Sequence, residues 1–380
     1  MKKIFIITER RADFSRFKPI IKLIEKDKSL DYQLVVTGLH LVKKHGYTIK
    51  EIQKEKFKIL AKFKMFDKNY FFNNDGVAMS DALGVVFKKL PKILKKVKPD
   101  LILSGFDIAA NFALCVCGAH MNIPVAHIQG GEVSGTIDES LRHAMTKFSN
   151  LHFTANLDTK KRLIRMGEFK KNIFTVGCPS IDALYQEKSL KDNLILKKFN
   201  INKKNLFLLV LQHPVTSEVN LAKKQMIQTI QAIKMSKIQH LIVFPNSDAG
   251  SKDILKIIKK SKMNFTSTLN LSEYRSLLDG NMILVGNSSS GIHEAASFKV
   301  PVINIGSRQN GRMKPKNVIN IKHHKKDILK AIHKARSFNF KKKIRNIKNP
   351  YGDGKSSKKI VKIIKSLNLK NFETQKKISY

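Results

Sequence analysis

A seventeen-residue stretch at positions 127–143, HIQGGEVSGTIDESLRH, concentrates groups that can transfer protons. It holds three acidic residues, two histidines, one arginine and three glycines. Gly130 and Gly131 follow an apolar run directly and permit an unusual backbone. Carboxylates clustered beside such a loop suit acid and base catalysis on a bound ligand. The candidate residues are Glu132, Asp138, Arg142 and, at the end of a different apolar run, Asp107.

A structural role explains the same residues equally well at this point. Asp138 suits the N-cap of a helix and precedes Arg142 by four residues, so an internal ion pair would need no catalysis. Glu132 fits an ordinary loop residue. Both interpretations stay open on the pattern alone.

A second stretch, VGNSSSGIHEA at residues 285–295, predicts a phosphate site. A strand there leads into small residues and then a helix, so backbone N–H groups, the helix end and serine hydroxyls would hold a diphosphate. The stretch matches neither a Walker loop nor a GxGxxG fingerprint, which argues against an ordinary ATPase or dinucleotide oxidoreductase. A serine-rich N-cap is the structural alternative. The candidates are Ser288, Ser289, Ser290, Gly291 and, as a ribose-hydroxyl acceptor, Glu294.

The elements that position these residues alternate between strand and helix along nearly the whole chain. Near-continuous apolar runs such as KIFIIT, DLILSG, LFLLVL and MILVG are typical of parallel strands covered on both faces. Segments with helical periodicity separate most of them, among them 16–26, 79–97 and 291–298. We therefore expect an α/β protein with two doubly wound domains, at 1–188 and 189–365, followed by a polar C-terminal tail at 366–380.

In open parallel sheets, ligands bind beyond the carboxyl ends of the strands. That rule places several polar residues of each half at a binding edge. In the first half they are Arg10, Arg11, Asp13, Asp107, Glu132, Asp138 and Arg142; in the second half they are His213, Asn246, Asp248 and residues 288–291.

Composition limits the class of protein. With 380 residues and 42% hydrophobic content, the chain is long enough for two domains. No apolar run reaches the roughly 18 residues that a membrane helix needs, so we expect a cytoplasmic protein without membrane insertion. Three cysteines without metal-ligand spacing predict neither disulfides nor a metal site. The net charge of +43 is spread over helix faces, so no specific nucleic-acid partner is expected, although weak attraction to polyanions follows from it.

The motifs taken together resemble the hydrolysing UDP-N-acetylglucosamine 2-epimerases, which include bacterial enzymes of sialic-acid synthesis. The resemblance runs from RADFSRFKPI to YGDG. It rests on HIQGGEVSGTIDESLRH, GCPSID, LQHPVTSE, FPNSDAGSKD, GNSSSGIHEA and PVINIGSRQNGR, in that order.

This resemblance implies a GT-B-like fold, with two Rossmann-type domains and the active site in the cleft between them. The implied reaction is anti elimination of UDP from UDP-GlcNAc to 2-acetamidoglucal, followed by hydration to N-acetylmannosamine. It implies no metal and no cofactor, and a homodimer or homotetramer whose ligand is a nucleotide sugar. Closure of the two domains would bend the chain near residues 185–193.

Roles are carried over one residue at a time. Asp107 matches the aspartate of the family's Gly-Asp-Arg motif and is assigned an acid or base role, as are Glu132 and Asp138, with Arg142 beside them. His213 matches the histidine of a His-Pro-Val-Thr motif, near the diphosphate or the sugar. Nucleotide-contacting positions are matched by Arg11, Ser288, Ser289, Glu294 and Arg312.

The chain also departs from the family pattern. Phe106 and Ile108 flank Asp107 where the family has glycine and arginine, and Gln129 replaces a glutamate or histidine. An apolar residue in place of arginine favours a sugar altered at C4 or C6, such as the 2,4-diacetamido-2,4,6-trideoxy sugar of the legionaminic-acid route. A GT-B glycosyltransferase, a non-hydrolysing epimerase and a catalytically silent polyanion-binding protein are the remaining alternatives.

Overall fold

The structure, a computed structural model, describes residues 1–43, 46–67, 76–106, 108–135, 137–246, 248–369 and 372–379. The chain divides into two compact units. Unit 1 comprises Met1–Glu132, Asp138–Ala183 and Gly352–Tyr380, and unit 2 comprises Val133–Ile137 and Leu184–Tyr351.

Unit 1 is built on a parallel sheet of seven described strands in the order β3-β2-β1-β4-β5-β6-β7. Both faces are covered, because Ile4 and Ile6 of β1 belong to one apolar core and Phe5 and Ile7 to another. This explains why the strands read as continuous apolar runs. The strands are β1 (Lys2–Thr8), β2 (Leu30–Val36), β3 (Ile59–Lys62), β4 (Leu101–Gly105), β5 (Val125–Ile128), β6 (Leu151–Thr154) and β7 (Ile173–Thr175).

Helices connect these strands and pack on both faces of the sheet. The described helices of this part of the chain are Arg11–Glu25, Ile49–Lys54, Gly76–Val97, Ala109–His120, Asp138–Phe148, Leu157–Arg165, Pro179–Gln186 and Ser356–Ser366.

Unit 2 repeats the plan with six described parallel strands in the order β10-β9-β8-β11-β12-β13. Its strands are β8 (Phe207–Leu211), β9 (Gln239–Val243), β10 (Phe265–Thr266), β11 (Met282–Gly286), β12 (Val302–Ile305) and β13 (Val318–Ile321). Its described helices are Asp192–Phe199, Ala222–Ser236, Ser251–Lys260, Leu271–Leu278, Ser290–His293, Lys325–Arg336 and Phe338–Ile344. The predicted pair of doubly wound, Rossmann-like domains is therefore confirmed.

The structure differs from the sequence prediction in several local elements. The first helix begins at Arg11 rather than at residue 16, so Arg11 and Asp13 lie in its first turn. The single helix predicted over residues 291–298 is wrong. A four-residue helix ends at His293 and a 3₁₀ turn follows at Ala295–Phe298. The short strands β3 and β10 were not predicted, because four and two residues carry no readable alternation.

The C-terminal residues belong to a different unit from the one predicted. Residues 352–365 were placed in the second domain and 366–380 in a polar tail, whereas the structure groups Gly352–Tyr380 with unit 1. The reason is that helix Ser356–Ser366 buries Ile360 and Ile364 in the core of that unit. An amphipathic pattern identifies an apolar face but not the sheet that covers it. Among the described residues, no helix is both long and apolar enough to cross a membrane.

Candidate active site

The glycine loop after β5 has a backbone that other residues tolerate poorly. Gln129 has φ +62° and Gly131 has φ +78°, both in the left-handed region. A Cβ at Gly131 would lie 2.6 Å from the carbonyl oxygen of Thr159. A Cβ at Gly130 would lie 2.9 Å from Nδ1 of His127. The loop is therefore held in one tight conformation, and Gln129 is a buried residue whose Oε1 has no hydrogen-bond partner among the described residues.

Arg142 joins helix Asp138–Phe148 to this loop. Arg142 is 2% exposed, and its Nη1 donates to the backbone carbonyl of Glu132 at 2.8 Å. Glu132 is itself 3% exposed. The predicted neighbours Glu132 and Arg142 are thus brought into contact, and Asp138 begins the same helix as a half-buried residue.

The end of β4 carries a second left-handed residue, at a site that the sequence had singled out. Phe106 has φ +72° and is buried against Phe17, with ring centroids 4.8 Å apart. A left-handed backbone explains why a glycine suits this position in the related motif. The guanidinium of Arg16 lies 5.1 Å from the centre of the Phe106 ring. Asp107, the predicted acid or base at this strand end, lies outside the described residues.

The turn after β1 is organised by Asp13, which is buried. Its carboxylate accepts hydrogen bonds from the hydroxyl of Thr8 at 2.7 Å and the backbone N–H groups of Glu9 and Arg10 at 2.8 and 3.0 Å. Asp13 therefore shapes the turn itself. Arg11, predicted to contact the nucleotide, forms an ion pair with Glu51.

Glu9 is a candidate that the sequence analysis missed. Its Oε2 accepts the backbone N–H of Ala110 at 3.0 Å, at the first turn of helix Ala109–His120. Burial raises the pKa of Glu9 to about 7, although the charge of Arg10 lowers it. A carboxyl group with that pKa exchanges a proton near neutral pH. The signal was present, since Glu9 directly follows β1 at the binding edge.

In unit 2, His213 follows β8 and its ring is oriented by the backbone. The N–H of Asn246 donates to Nδ1 of His213 at 3.0 Å. Because a backbone N–H can only donate, Nδ1 is the acceptor, and the neutral ring carries its proton on Nε2. His213 can therefore donate a hydrogen bond from Nε2 to an oxygen of a ligand.

The serine cluster after β11 is linked through its side chains. Ser290 Oγ donates to Oε2 of Glu294 at 2.7 Å and contacts the hydroxyl of Tyr274. Burial and the nearby Glu294 carboxylate raise the pKa of Tyr274 well above its usual value, so it remains a neutral phenol. Ser288 and Ser289 are half-buried. Gly291 packs so closely that a Cβ there would lie 2.8 Å from Val302.

Arg312 completes a chain of hydrogen bonds in unit 2. Its Nη1 donates to Oε1 of Gln309 at 2.9 Å, and Nε2 of Gln309 donates to the carbonyl of Asn287 at 2.8 Å. Nε of Arg312 donates to the carbonyl of Val133 at 2.8 Å. The residue predicted to contact the nucleotide thus binds the backbone at Val133.

The described residues contain no group of three His, Cys, Asp or Glu side chains close enough to hold a metal ion. All three cysteines are buried and unpaired. Burial raises the pKa of Cys115 and Cys117 to about 11, so both stay thiols at neutral pH.

The family described as UDP-N-acetylglucosamine 2-epimerase matches this chain over residues 22–365. The chain belongs to that family. The predicted family is thereby confirmed, and the protein is an enzyme that acts on a UDP-sugar.

Two curated relatives of this 2-epimerase family cover nearly all of the chain. UDP-N,N′-diacetylbacillosamine 2-epimerase (hydrolyzing) from Legionella pneumophila is 34% identical over 373 residues, which are 97% of each chain. UDP-N-acetylglucosamine 2-epimerase from Neisseria meningitidis serogroup B is 32% identical over 340 residues, which are 88% of each chain.

The fold agrees with that of a solved family member. The structure of UDP-GlcNAc 2-epimerase from Neisseria meningitidis bound to UDP-GlcNAc superposes with a TM-score of 0.79, at 18% identity, over 97% of this chain and 100% of that one. The GT-B-like architecture of two parallel-sheet domains follows from this agreement and from the strand orders above.

Proposed function

We propose that the protein is a hydrolysing 2-epimerase that converts UDP-N,N′-diacetylbacillosamine and water into UDP and the free 2-epimer of the sugar. The observation that carries the proposal is the Legionella pneumophila relative, which has this activity in its name and is 34% identical over 97% of both chains. The departures around Asp107 support the same substrate. Phe106 and Ile108 are both buried and apolar, where the resemblance calls for glycine and arginine.

The elimination step requires a base and a stabilised leaving group. A base removes the C2 proton, the bond between C1 and the diphosphate oxygen breaks, and its electrons leave with UDP while C1 and C2 become doubly bonded. We assign the proton transfers to Glu132, Asp138 and Asp107. The position of Glu132 supports this role. It lies in a loop that neighbouring residues hold in one conformation, and such a loop keeps a catalytic group in place.

The hydration step returns the sugar with inverted configuration at C2. Water adds its oxygen to C1 and loses a proton to a carboxylate, while a protonated carboxyl group delivers a proton to C2 from the face opposite to the one deprotonated. The group that protonates C2 is therefore a different carboxyl group from the base of the elimination step. Arg142 fixes the position of the loop through its hydrogen bond to the Glu132 carbonyl.

We assign the binding of UDP to unit 2. Nε2–H of His213 is a donor suited to a diphosphate oxygen, and such donors stabilise the charge that develops on the leaving group. Ser288 and Ser289 offer further hydroxyl groups. Glu294, a buried carboxylate, suits a ribose hydroxyl. Arg312 supplies positive charge, and it already contacts protein groups that a ligand would have to share.

UDP-GlcNAc is the second candidate substrate. The Neisseria meningitidis relative named for it is 32% identical over 88% of both chains, close to the value for the Legionella enzyme. The chemistry at C1 and C2 would be the same, and only the groups at C4 and C6 would differ.

Proton NMR in deuterated water with each nucleotide sugar in turn distinguishes these possibilities. The Glu132→Gln variant, purified in parallel, serves as a blank for contaminating activity. We expect the diacetamido substrate to yield free UDP and a free 2-epimer carrying deuterium at C2. Turnover of UDP-GlcNAc alone would select the second candidate. A 2-epimer that is still linked to UDP, or no turnover of either compound, would contradict the proposal.

A further inference from the structure

The C-terminal segment, residues 372–379, is fitted to the surface of unit 1. Nδ2 of Asn150 donates to the carbonyl of Thr374 at 2.9 Å, and the N–H of Ser379 donates to the carbonyl of Gly167 at 2.9 Å. Gly167 has φ +82°, and a Cβ there would lie 2.7 Å from Ile378. The segment predicted to be a polar tail is therefore held by specific contacts.

Lys376 of this segment makes hydrogen bonds with residues of the unit. Its ammonium group donates to the backbone carbonyls of Thr146 and Ser149, the latter at 2.6 Å. Both carbonyls lie at the C-terminal end of helix Asp138–Phe148. The last carbonyls of a helix have no partner within the helix and attract positive charge. Lys376 thus caps that helix from a segment 230 residues away in sequence.

A buried carboxylate holds the ammonium group in place. Nζ of Lys376 lies 2.6 Å from Oε2 of Glu168, and the same oxygen contacts His152 Nε2 at 3.0 Å. The other carboxylate oxygen, Oε1, contacts Lys147 Nζ at 3.1 Å. Glu168 is 3% exposed. Burial raises the pKa of Glu168. The hydrogen bond from His152 and the charge of Lys376 lower it by more than burial raises it, so the pKa falls to about 2. Glu168 is consequently ionised over the whole working range of pH.

The capped helix is the one that carries the proposed catalytic machinery. Thr146, whose carbonyl Lys376 binds, donates from its hydroxyl to the carbonyl of Arg142 at 3.1 Å. Arg142 in turn donates to the carbonyl of Glu132. Any shift of the helix end therefore moves the group that fixes the glycine loop.

We propose that Lys376 is a positioning residue for the reaction, which fixes helix Asp138–Phe148 and through it Arg142 and the Glu132 loop. This inference rests on the proposed function, since it assigns the consequence of the contact to turnover. The ammonium group itself touches no substrate.

The test uses the full chain with three substitutions. Lys376→Met removes the charge and keeps most of the length, and Lys376→Arg restores a cation with N–H donors. Lys377→Met is the matched control, because Lys377 is 70% exposed and pairs only with the exposed Glu373, at 3.1 Å, among the contacts described. If Lys376→Met does not fold, Lys376→Gln replaces it, since its amide keeps a donor without the charge.

We expect Lys376→Met to lower kcat at least tenfold while KM and the affinity for UDP stay within twofold of wild type. Lys376→Arg should recover at least half of kcat, and Lys377→Met should match wild type. A wild-type kcat in a folded Lys376→Met protein would overturn the proposal. So would an equal loss of kcat in Lys377→Met.

Amide hydrogen exchange separates this inference from the proposed function. Lys376→Met should raise the exchange rate of amides 142–149 at least fivefold over wild type, and Lys377→Met should leave it unchanged. If neither nucleotide sugar is turned over by wild type, the proposed function fails. The exchange rates then still decide whether Lys376 fixes the helix, and unchanged rates would overturn that claim.

Discussion

His213 and Asn287 exchange two hydrogen bonds across the ends of neighbouring strands. The N–H of His213 donates to Oδ1 of Asn287 at 2.7 Å, and Nδ2 of Asn287 donates to the carbonyl of His213 at 2.9 Å. The side-chain amide of Asn287 therefore extends the hydrogen bonding between β8 and β11 beyond the ends of the two strands. It fixes the backbone of His213 while Asn246 fixes the ring.

Asn287→Ala should disturb both the stability and the activity of the protein. We expect the free energy of unfolding to fall by about 1–3 kcal/mol, because two backbone groups lose their partners. Turnover should fall by roughly tenfold, since a displaced His213 no longer aligns its Nε2–H. Urea unfolding and initial rates measure the two effects. Asn310→Ala, at an exposed position of the same unit, is the control and should change neither.

The proposed acid and base residues should affect turnover without affecting nucleotide binding. Glu132→Gln and Asp138→Asn should each reduce kcat by about 100-fold or more, because an amide neither accepts nor delivers the proton. The same outcome is expected for Asp107→Asn. Calorimetric affinity for UDP should remain near the wild-type value. A parallel loss of UDP affinity would instead identify these residues as structural.

The serine cluster should show the opposite pattern. Ser289→Ala and Glu294→Ala should weaken UDP binding by about tenfold each, which corresponds to roughly 1.4 kcal/mol per lost contact. Thermal unfolding identifies any loss that comes from the internal bond between Ser290 and Glu294. The exposed Ser267→Ala is the matched control. Unchanged UDP affinity in both variants would rule out this nucleotide site.

Glu9 should make the protein less stable as the pH rises from about 4.5 to 7. The pKa of Glu9 is about 7 in the folded state, against 4.5 for the ordinary carboxyl group of the unfolded chain. Between these two pH values the folded chain therefore binds one proton that the unfolded chain has lost. Stability therefore declines from pH 4.5 to 7 and the loss is complete above pH 7. Glu9→Gln removes the effect, so its stability relative to wild type should be greater at pH 8 than at pH 5 by about 1–3 kcal/mol.

Urea unfolding of wild type and Glu9→Gln at the two pH values measures this difference. Part of the Glu9 surface is exposed, which favours the lower end of the range. An identical difference at both pH values would mean that Glu9 titrates normally in the folded protein.

Two glycines should respond in opposite directions to the same substitution. Gly131→Ala forces an unfavourable φ and a contact of 2.6 Å with the Thr159 carbonyl, so we expect a loss of at least 2 kcal/mol in stability. Gly84 lies inside helix Gly76–Val97 with open space around it. Gly84→Ala should therefore stabilise the protein by about 0.5–1 kcal/mol. Thermal unfolding of both variants is the measurement, and a stable, fully active Gly131→Ala protein would refute the tight-loop description.

The alternation of apolar strands and amphipathic helices was sufficient to predict the two doubly wound units. That pattern is local, because the covering of both sheet faces makes each strand apolar along its whole length. The strand-end rule then selected residues that do follow strands, such as His213 after β8 and Ser288 after β11. It passed over Glu9, since a single acidic residue at a strand end has no distinguishing spacing.

Long-range pairing was decided only by the tertiary structure. The chain has 72 lysine and arginine residues, and nothing in their local sequence distinguishes Lys376 from Lys377. Yet Lys376 caps a helix and forms an ion pair with the buried Glu168, whereas Lys377 forms an ion pair with the exposed Glu373. The amino-acid sequence by itself determined the family, the architecture and the edge that carries the candidate residues. Burial and contacts between distant segments determined which charged groups hold the protein together and which stay available for a ligand, because the energy of a charge depends on the solvent and partners around it.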